Sequence, residues 1–579
     1  MSFVAKLLVL LSGHALILVI PYKGSKADYF SFFMYIYAPM VRLYFIIGIL
    51  SCSQSFGQSF ARKDSLRGTL TKFRTCYDLQ FYDLSVNINL VNKTIAGSNT
   101  IYFKTVTPFQ ELQVDLFSRI AIDSIVYQGH QLNYRREFNA VFIKFDSLQS
   151  VEQGNLKVYY HGKPIEALKP PWDGGLVWST TSLGRPWAAV SCEGKGASLW
   201  WPCKDHPSDE PDSMRISIQI PSKYVEMGDS VISNGVRKNV QVLGNGYTSF
   251  VWEVHYPINS YNATYYIGSY VNVKDRLNNL NIDYYIADTK LSKAVPHLEQ
   301  AKEMLVCFEK LFGPYPFPKD GYALVEAPYW GMEHQGAIAY GNGYTNNVWG
   351  FDFIIVHESA HEWWGNSVSC VDHAELWIHE SFATYAEALF VEDKWGNGKM
   401  LEYLAEQKKR IKNTEPIVGP LGVNYNNWQD TDEYFKGSLM LHTLRNVVDN
   451  DSLWFKTIKN FAVSYKYKIV STKEVIDYFS KSLNTDLNPF FEQYLYKTGI
   501  PVLEYYWKTD KKGVLNLFYR LKSDISNLKI PIKAGSNNKY TYKLLGEPAW
   551  KKAYIKEGKV GFTWAEELFY VTPKEVGAQ

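Results

Sequence analysis

The sequence feature that most constrains the fold is a His-Glu-Ser-Ala-His segment at residues 357–361, which follows the apolar run 353–356. On a helix, residues four apart lie about 40° from each other around the axis, so both imidazoles would face one side and could bind one metal ion. Glu358 lies next to them, where its carboxylate can act on a metal-activated water molecule. The segment therefore predicts a metal-binding helix. The alternative is a helix with two hydrogen-bonded histidines and no metal.

A third ligand is expected because a catalytic zinc site has three protein ligands and one open position. Eighteen residues separate His361 from Glu380, which stands in a second segment with helical spacing. Residues 365–372 give the chain room to turn back between the two helices. Because two imidazoles and one carboxylate suit zinc, we predict one Zn²⁺ bound by His357, His361 and Glu380. This is the ligand set of the gluzincin metallopeptidases; the alternative for Glu380 is a solvated helical carboxylate.

The hydrophobic pattern divides the chain into several regions, as expected because 579 residues are too many for one core. Residues 77–270 contain many short segments that alternate apolar and polar residues, such as 84–90, which is typical of half-buried strands. Helical spacing then dominates to about Gly499, beginning with a helix predicted from Pro296 to Phe312. Alternation returns in the last part of the chain. The predicted boundaries are 1–57 for an upstream segment and signal peptide, 65–272 for an N-terminal β domain, 273–500 for a zinc catalytic domain and 501–579 for a small C-terminal β domain.

Composition excludes some classes of protein. The formal net charge is +3 and no long run of Lys or Arg occurs, so we expect no nucleic acid partner. Six cysteines without a Cys-x-x-Cys pair do not indicate a disulfide framework. After residue 60 no segment is long and apolar enough to cross a membrane, so we expect no membrane-spanning region in the mature chain.

The N-terminal residues read as a signal peptide. The apolar stretch 43–50 follows Met40 and an arginine, and Ser-Phe-Gly at 55–57 has small residues at both recognition positions of a cleavage site. We therefore predict export to the periplasm or outside the cell, with Met40 as the true start and Gln58 as the first residue of the mature chain. Two alternatives are an uncleaved membrane anchor and a lipid attached to Cys52.

Several further segments resemble the membrane alanyl aminopeptidase family of zinc exopeptidases, which includes the leukotriene hydrolases. Trp-Gly-Met-Glu-His at 330–334 resembles the family's Gly-x-Met-Glu-Asn loop, and Tyr-Phe-Lys-Gly at 434–437 matches its Tyr-x-Lys-Gly. Residues 191–193 and 201–207 resemble a β-domain segment whose side chain reaches into the active site. Residues 491–501 resemble the end of the catalytic domain.

The resemblance covers roughly residues 75–505 and implies a multidomain α+β fold. Its parts would be an N-terminal all-β saddle-like domain, a thermolysin-like α+β catalytic domain and a small C-terminal β domain. Three residues depart from the family pattern. Trp330 replaces the first glycine of the Gly-x-Met-Glu-Asn loop, His334 replaces its asparagine, and His379 replaces an asparagine before the glutamate ligand. Both histidines could compete for metal or shift local pKa values, but we interpret them as lineage-specific substitutions.

The resemblance also implies roles in catalysis. Glu358 would take a proton from the attacking water and pass it to the leaving amine. Tyr434 would donate a hydrogen bond to the oxyanion of the tetrahedral intermediate; the alternative is a tyrosine that only packs in the core. Glu387, two helical turns after Glu380, would support a ligand imidazole, although a solvated acidic position explains it equally well.

The resemblance also implies which residues bind the substrate. Glu333 and Glu193 would bind the protonated α-amine of the substrate, a contact that is available only at a chain end. Gly331 and Met332 belong to the same substrate-binding loop as Glu333. The alternative for both glutamates is a carboxylate in solvent.

These assignments predict a zinc-dependent aminopeptidase that hydrolyses the N-terminal peptide bond of peptides with a free N-terminus, through a metal-activated water and a glutamate general base. One alternative is a thermolysin-like zinc endopeptidase, which shares the ligands but has no use for an amine-binding carboxylate. The other is a catalytically inactive binding scaffold of the same fold.

Overall fold

The computed structural model describes residues 60–579, with the exception of 151, 288–289, 427, 537–538 and 579. It also describes the backbone of two strands near the N-terminus, Ala5–Leu11 (β1) and His14–Ile20 (β2). These two strands pair antiparallel, with Ala5 opposite Ile20. Residues 1–61 and 62–579 form two separate compact units. The predicted signal peptide and its cleavage before Gln58 fall outside the described residues. The same holds for the alternative of a lipid attached to Cys52.

The N-terminal region of the second unit consists mainly of strands, as predicted. In its first long strand the side chains of Tyr82, Leu84, Val86 and Ile88 are fully buried, because alternate residues of a strand face opposite sides of the sheet. The elements are α1 (Arg62–Gly68), α2 (Lys72–Thr75), β3 (Tyr77–Asn89), β4 (Thr94–Thr105), β5 (Phe109–Asp115), β6 (Ile120–Tyr127), β7 (His130–Gln131), β8 (Asn133–Glu137), β9 (Ala140–Gln149), β10 (Gly154–Gly162), β11 (Gly175–Thr180), β12 (Pro186–Ser191), β13 (Ser213–Pro221), α3 (Ser222–Glu226), β14 (Ser230–Ser233), β15 (Val236–Val242), β16 (Tyr247–Val254) and β17 (Tyr265–Gly268).

These strands form three sheets. The largest has the order β15-β16-β13-β3-β4-β10-β6-β7 and is antiparallel except for the parallel pair of β3 and β13. A four-stranded sheet has the order β11-β12-β17-β14, and a three-stranded sheet has the order β5-β9-β8. One hydrophobic core connects these sheets and extends into the first sheet of the catalytic region.

The catalytic region begins with a five-stranded sheet in the order β18-β19-β20-β22-β21, so that β21 is an edge strand. Helices follow, as predicted. The elements are β18 (Tyr270–Leu277), β19 (Leu280–Ala287), α4 (Leu291–Leu298), α5 (Gln300–Phe312), β20 (Tyr322–Glu326), β21 (Gly331–Met332), β22 (Ile338–Tyr340), α6 (Phe353–Ala360), β23 (Val368–Cys370), α7 (Trp377–Trp395), α8 (Asn397–Lys408), α9 (Asp432–Val448), α10 (Asp451–Ser464), β24 (Lys468–Val470), α11 (Thr472–Leu483) and α12 (Asn488–Tyr496).

One predicted helix was wrong at its start. The helix expected from Pro296 to Phe312 is two helices, and Pro296 lies inside the first of them, α4. Proline lacks the N–H group that would bond to the carbonyl four residues earlier, and its ring crowds that carbonyl. The helix therefore ends shortly after the proline, and α5 begins at Gln300.

The C-terminal region contains two small sheets with the orders β29-β26-β25-β31 and β28-β27-β30. Its core is continuous with that of the catalytic helices, and the Tyr570 N–H donates to Thr443 Oγ1 at 2.8 Å. The predicted multidomain α+β fold class is confirmed, while the boundaries between its domains stay predictions. Within residues 60–579 as described, no helix has the length and apolar character needed to cross a bilayer. The strands are β25 (Val502–Thr509), β26 (Leu515–Lys522), β27 (Ile530–Ser536), β28 (Lys539–Gly546), β29 (Lys551–Ala553), β30 (Phe562–Trp564) and β31 (Thr572–Glu575).

Candidate active site

Helix α6 carries His357 of the predicted metal site, and His361 is the residue that caps its C-terminal end. The start of the helix is fixed by a side chain. The Asp352 carboxylate accepts hydrogen bonds from the N–H groups of Ile354 and Ile355, at 3.0 and 3.5 Å. These contacts satisfy two amides that have no partner inside the helix. Both isoleucines are buried in the core. The cap and the apolar turn therefore hold α6 in place, with His357 and His361 at the cleft.

Three side chains meet at the bottom of this cleft. His357 Nε2 and His361 Nε2 are 3.3 Å apart, and Glu380 Oε2 lies 3.4 Å from the first and 3.5 Å from the second. Tetrahedral zinc with bonds of about 2.0–2.2 Å places its ligand atoms about 3.3–3.5 Å apart. Among the described residues, this is the one group of three such side chains able to hold a metal ion.

The hydrogen bonds around these ligands also fit a cation. His357 Nδ1 lies 2.7 Å from Glu387 Oε1, and His361 Nδ1 lies 2.8 Å from the Trp364 carbonyl oxygen. Both Nδ1 atoms face acceptors and therefore carry the proton, which leaves a lone pair on each Nε2 atom. Glu380 Oε2 is buried and has no hydrogen-bond donor within the described residues. Three converging lone pairs of this type suit zinc.

Glu387 supports this site from behind. It lies seven residues after Glu380 on α7, two turns along the same face, so both carboxylates point toward α6. Its second oxygen accepts a hydrogen bond from the Tyr403 hydroxyl. A carboxylate that accepts from a ligand imidazole fixes the orientation of that ring. The position of Glu387 is thus the one expected for a supporting partner.

Helix α9 approaches α7 closely because a glycine stands at their contact. A Cβ atom at Gly437 would lie 1.7 Å from Ser381 Oγ, and this hydroxyl donates to the Glu433 carbonyl oxygen at 2.6 Å. The approach brings the Tyr434 ring to 6.0 Å from the His357 ring. Burial, together with nearby carboxylates, raises the pKa of the Tyr434 phenol well above its usual value. The hydroxyl therefore remains a hydrogen-bond donor.

Edge strand β21 runs beside the predicted general base. A Cβ atom at Gly331 would lie 2.5 Å from Glu358 Oε1, so a side chain at this position would displace the carboxylate. Burial raises the pKa of Glu358 to about 7, which suits a base that works near neutral pH. Met332 is buried, and its sulfur lies 3.9 Å from Ser191 Oγ.

Two more carboxylates stand at the other end of β21. The Tyr261 hydroxyl donates to Glu333 Oε1 at 3.0 Å. Burial raises the pKa of Glu193 well above its usual value, and the charge of Glu333 adds to this effect. Glu193 Oε1 is buried and receives no hydrogen bond from a Lys or Arg side chain in the part of the chain that the structure describes, and a hydrogen bond between the two carboxyl groups contributes to the raised pKa of Glu193. This pair therefore suits a cation from outside the protein.

The cleft that contains these groups has a volume of about 820 Å³ and is lined by both the N-terminal and the catalytic regions. Cavities of this size accommodate small molecules and short peptide segments. Of its charged lining residues, Lys409, Arg410 and Lys412 are exposed, whereas Glu333, Glu358 and Glu380 are buried.

Comparison with known proteins identifies the family. The Peptidase M1 N-terminal domain matches residues 79–262, and the Peptidase family M1 domain matches residues 297–494, which include all three metal-ligating side chains. The chain belongs to peptidase family M1. Membership of this family indicates one catalytic zinc ion, in agreement with the geometry of the three predicted ligands.

Individual relatives of this M1 chain are distant. The leucyl aminopeptidase of Saccharolobus solfataricus is 22% identical over 445 residues, and the aminopeptidase N of Lactobacillus helveticus is 24% identical over 472 residues. These alignments cover 72% and 75% of this chain but 54% and 52% of the relatives. The chain thus spans about half the length of the curated relatives that it matches. The M1 zinc metallopeptidase from Deinococcus radiodurans shares the fold, with a TM-score of 0.63, 21% identity and coverage of 73% of this chain and 95% of that one.

The two histidines that depart from the family pattern do not line the cleft. His334 is buried, and its Nδ1 lies 2.7 Å from the Tyr266 hydroxyl. His379 Nε2 accepts from the Cys370 N–H at 2.9 Å. Burial lowers the pKa of each to about 3, so both rings are neutral at physiological pH. Neither belongs to the group of three metal ligands.

Sequence reasoning missed three residues that line the M1 cleft or contact its lining. Tyr261 contacts Glu333 from 72 positions away, and no motif marked it. Phe353 stacks on the His357 ring with centroids 5.2 Å apart, although it had been assigned only to an apolar run. Trp172 lies at the cleft mouth beside Trp330, and no sequence pattern indicates this contact.

Proposed function

We propose that this M1 chain is a zinc-dependent aminopeptidase that hydrolyses the first peptide bond of peptides with a free N-terminus. The observation that carries this proposal is the carboxylate pair Glu193 and Glu333, in the same cleft as the three metal-ligating side chains. A carboxylate opposite an ammonium forms a charge-assisted contact, and in a peptide the backbone offers an ammonium only at its N-terminus. The aminopeptidase names of the relatives support the same function.

The residues at the acidic end would bind and orient the substrate. Glu333 is held by the Tyr261 hydroxyl, so its free oxygen is positioned before the substrate arrives. The raised pKa of Glu193 means that repulsion between the two carboxylates is relieved when an ammonium binds. Glu333 directly follows β21, and Gly331 at the start of β21 lies beside Glu358. An ammonium bound at Glu333 would therefore place the first peptide bond near Glu358.

His357, His361 and Glu380 would hold the zinc ion, which when bound polarises the scissile carbonyl and lowers the pKa of the attacking water. Glu358 would accept a proton from that water and deliver it to the leaving amine. Its raised pKa makes both transfers feasible near neutral pH. The Tyr434 hydroxyl, whose proton is retained by burial, would donate to the oxyanion.

A thermolysin-like endopeptidase agrees less well with the cleft. An internal peptide segment has no ammonium, so it would cover the buried Glu333 and the half-buried Glu193 without giving them a cationic partner, which is unfavourable. The inactive scaffold is disfavoured because His357, His361 and Glu358 are all in place.

The direct test is alanine release from the peptide Ala-Ala-Ala by the full chain, measured while zinc is added to the chelator-treated protein. We expect the rate of hydrolysis to rise as zinc is added and to reach a plateau at one equivalent of zinc per chain. Cleavage of long N-blocked peptides without release of single residues would favour the endopeptidase. Tight zinc binding without hydrolysis of any peptide would favour the scaffold.

We also propose that the chain is exported, as the signal-peptide pattern before Gln58 suggests. Sequencing the N-terminus of the protein from its native host tests this. A mature chain that begins at Gln58 agrees with cleavage, whereas retention of the first 39 residues contradicts it.

A further inference from the structure

An aromatic surface continues outward from the metal site along one wall of the cleft. Phe353 stacks on the His357 ring at 5.2 Å, and Trp330 stacks on Phe353 at 5.6 Å with an interplanar angle of 25°. Trp172, from the N-terminal region, approaches Trp330 at 6.2 Å. All three line the cleft. We call Phe353, Trp330 and Trp172 the aromatic wall.

The two tryptophans of the wall are exposed although their rings are large and apolar, whereas Phe353 is partly buried against the core. Trp172 is 71% exposed and Trp330 is 45% exposed, whereas Trp364 and Trp377 of the catalytic region are fully buried. Exposed adjoining apolar side chains in a cleft mark a binding surface. Trp330 is also held in position, because its Nε1–H donates to Asn342 Oδ1 at 3.1 Å. The wall is therefore preorganised rather than collapsed onto the protein.

The order of residues through β21 indicates which part of a substrate would meet this wall. In the proposed binding mode Glu333 would hold the substrate ammonium, and Gly331, next to Glu358, would lie beside the first peptide bond. Trp330 is the next residue in the same direction, so it lies beyond that bond, on the side of the leaving peptide. A substrate that runs extended past β21 would therefore bring the residue after its scissile bond close to Trp330 and Phe353, whose rings stack 5.6 Å apart in the cleft wall.

We propose that the aromatic wall is a subsite for the second residue of the substrate and that it selects peptides with an aromatic or large aliphatic side chain at this position. Aromatic rings favour stacked and edge-to-face contacts with other rings, and the exposed faces of Trp330 and Trp172 provide both. The inference rests on the proposed aminopeptidase function, because it takes the substrate orientation from the ammonium position at Glu333. It is specific to this chain, since Trp330 stands where the resembling loop has glycine.

The first test compares kcat/KM for Ala-Phe-Ala, Ala-Leu-Ala, Ala-Arg-Ala and Ala-Ala-Ala. We expect the zinc-loaded protein to prefer phenylalanine over alanine at the second position by about ten-fold or more, with leucine in between. Trp330→Ala should reduce this ratio to less than about three-fold, Trp330→Phe should retain most of it, and Trp172→Ala should lower it partially. The control variant Tyr554→Ala removes an exposed ring of the C-terminal region and should leave the ratio unchanged.

An equal preference for all second residues, or a ratio that Trp330→Ala leaves intact, would overturn the proposal. A preference for arginine would also overturn it, because the wall would then act through cation–π contacts.

The second measurement separates this inference from the proposed function. Calorimetry with the Glu358→Gln variant determines the Kd of the same peptides without turnover. If Ala-Phe-Ala binds about ten-fold more tightly than Ala-Ala-Ala, the subsite stands even if hydrolysis is never observed; equal Kd values would refute it even in an active enzyme.

Discussion

The contact between Glu387 and the ligand His357 allows a quantitative prediction. His357 Nδ1 and Glu387 Oε1 are 2.7 Å apart, and the carboxylate side chain is only 1% exposed. A hydrogen bond to a charged acceptor contributes about 1.5–3 kcal/mol, and partners of metal-bound histidines typically change metal affinity about 10–100-fold. The two ranges agree, since each ten-fold change corresponds to about 1.4 kcal/mol.

We therefore expect Glu387→Ala to raise the Kd for zinc about 100-fold and Glu387→Gln about ten-fold, because the amide retains an acceptor oxygen but no charge. Tyr403→Phe removes only the hydroxyl that donates to Glu387 and should have a smaller effect. Competition with a chromogenic chelator at constant pH measures these values. Glu402→Gln, on the exposed face of α8, is the matched control. A zinc Kd that Glu387→Ala leaves unchanged would refute the supporting role.

Two further predictions concern the charged groups of the cleft. Glu358→Gln should keep about one zinc per chain but lose about 10²–10⁴-fold in kcat, because the proton transfer is lost while the ligands remain; near-normal turnover would contradict its role as the base. Burial raises the pKa of Glu433 to about 9, so the folded state binds this proton more tightly than the unfolded state, and stability falls as pH rises from about 4.5 to 9. Glu433→Gln removes this effect. The free energy of unfolding of the variant minus that of the unmodified protein should therefore increase with pH, by at most about 1.4 kcal/mol per pH unit. Denaturant unfolding at pH 5, 7 and 9 measures this difference. A difference that is constant across this range would contradict the raised pKa.

Local sequence patterns predicted the parts of the site that lie on single elements. The spacing of His357 on α6 and His361 at its C-terminal cap, and of Glu380 and Glu387 on α7, follows from the helical repeat, and the structure brings all four side chains together. The β-rich N-terminal region was predicted for a similar reason, because strand periodicity is visible in short segments. The roles of these residues in catalysis stay predictions.

Contacts between distant segments could not be predicted in this way. Trp172 meets Trp330 across 158 positions, and Tyr261 meets Glu333 across 72; both depend on how the N-terminal sheets pack against β21. The start of α4 was missed because proline is common in the first turn of a helix, whereas Pro296 stands in the last turn.

The most direct test of the central claim is whether Glu333 recognises the free α-amino group of the substrate. The measurement is kcat/KM for Ala-Ala-Ala and for its N-acetylated form, with the zinc-loaded protein, Glu333→Ala and the surface control Glu402→Ala. We predict that the unmodified protein and the control prefer the free peptide by at least about 1,000-fold, because acetylation leaves the buried carboxylates unpaired. Glu333→Ala should lose most activity on the free peptide and gain little on the acetylated one. Equal rates on both peptides, or an equal loss on both in Glu333→Ala, would contradict the account.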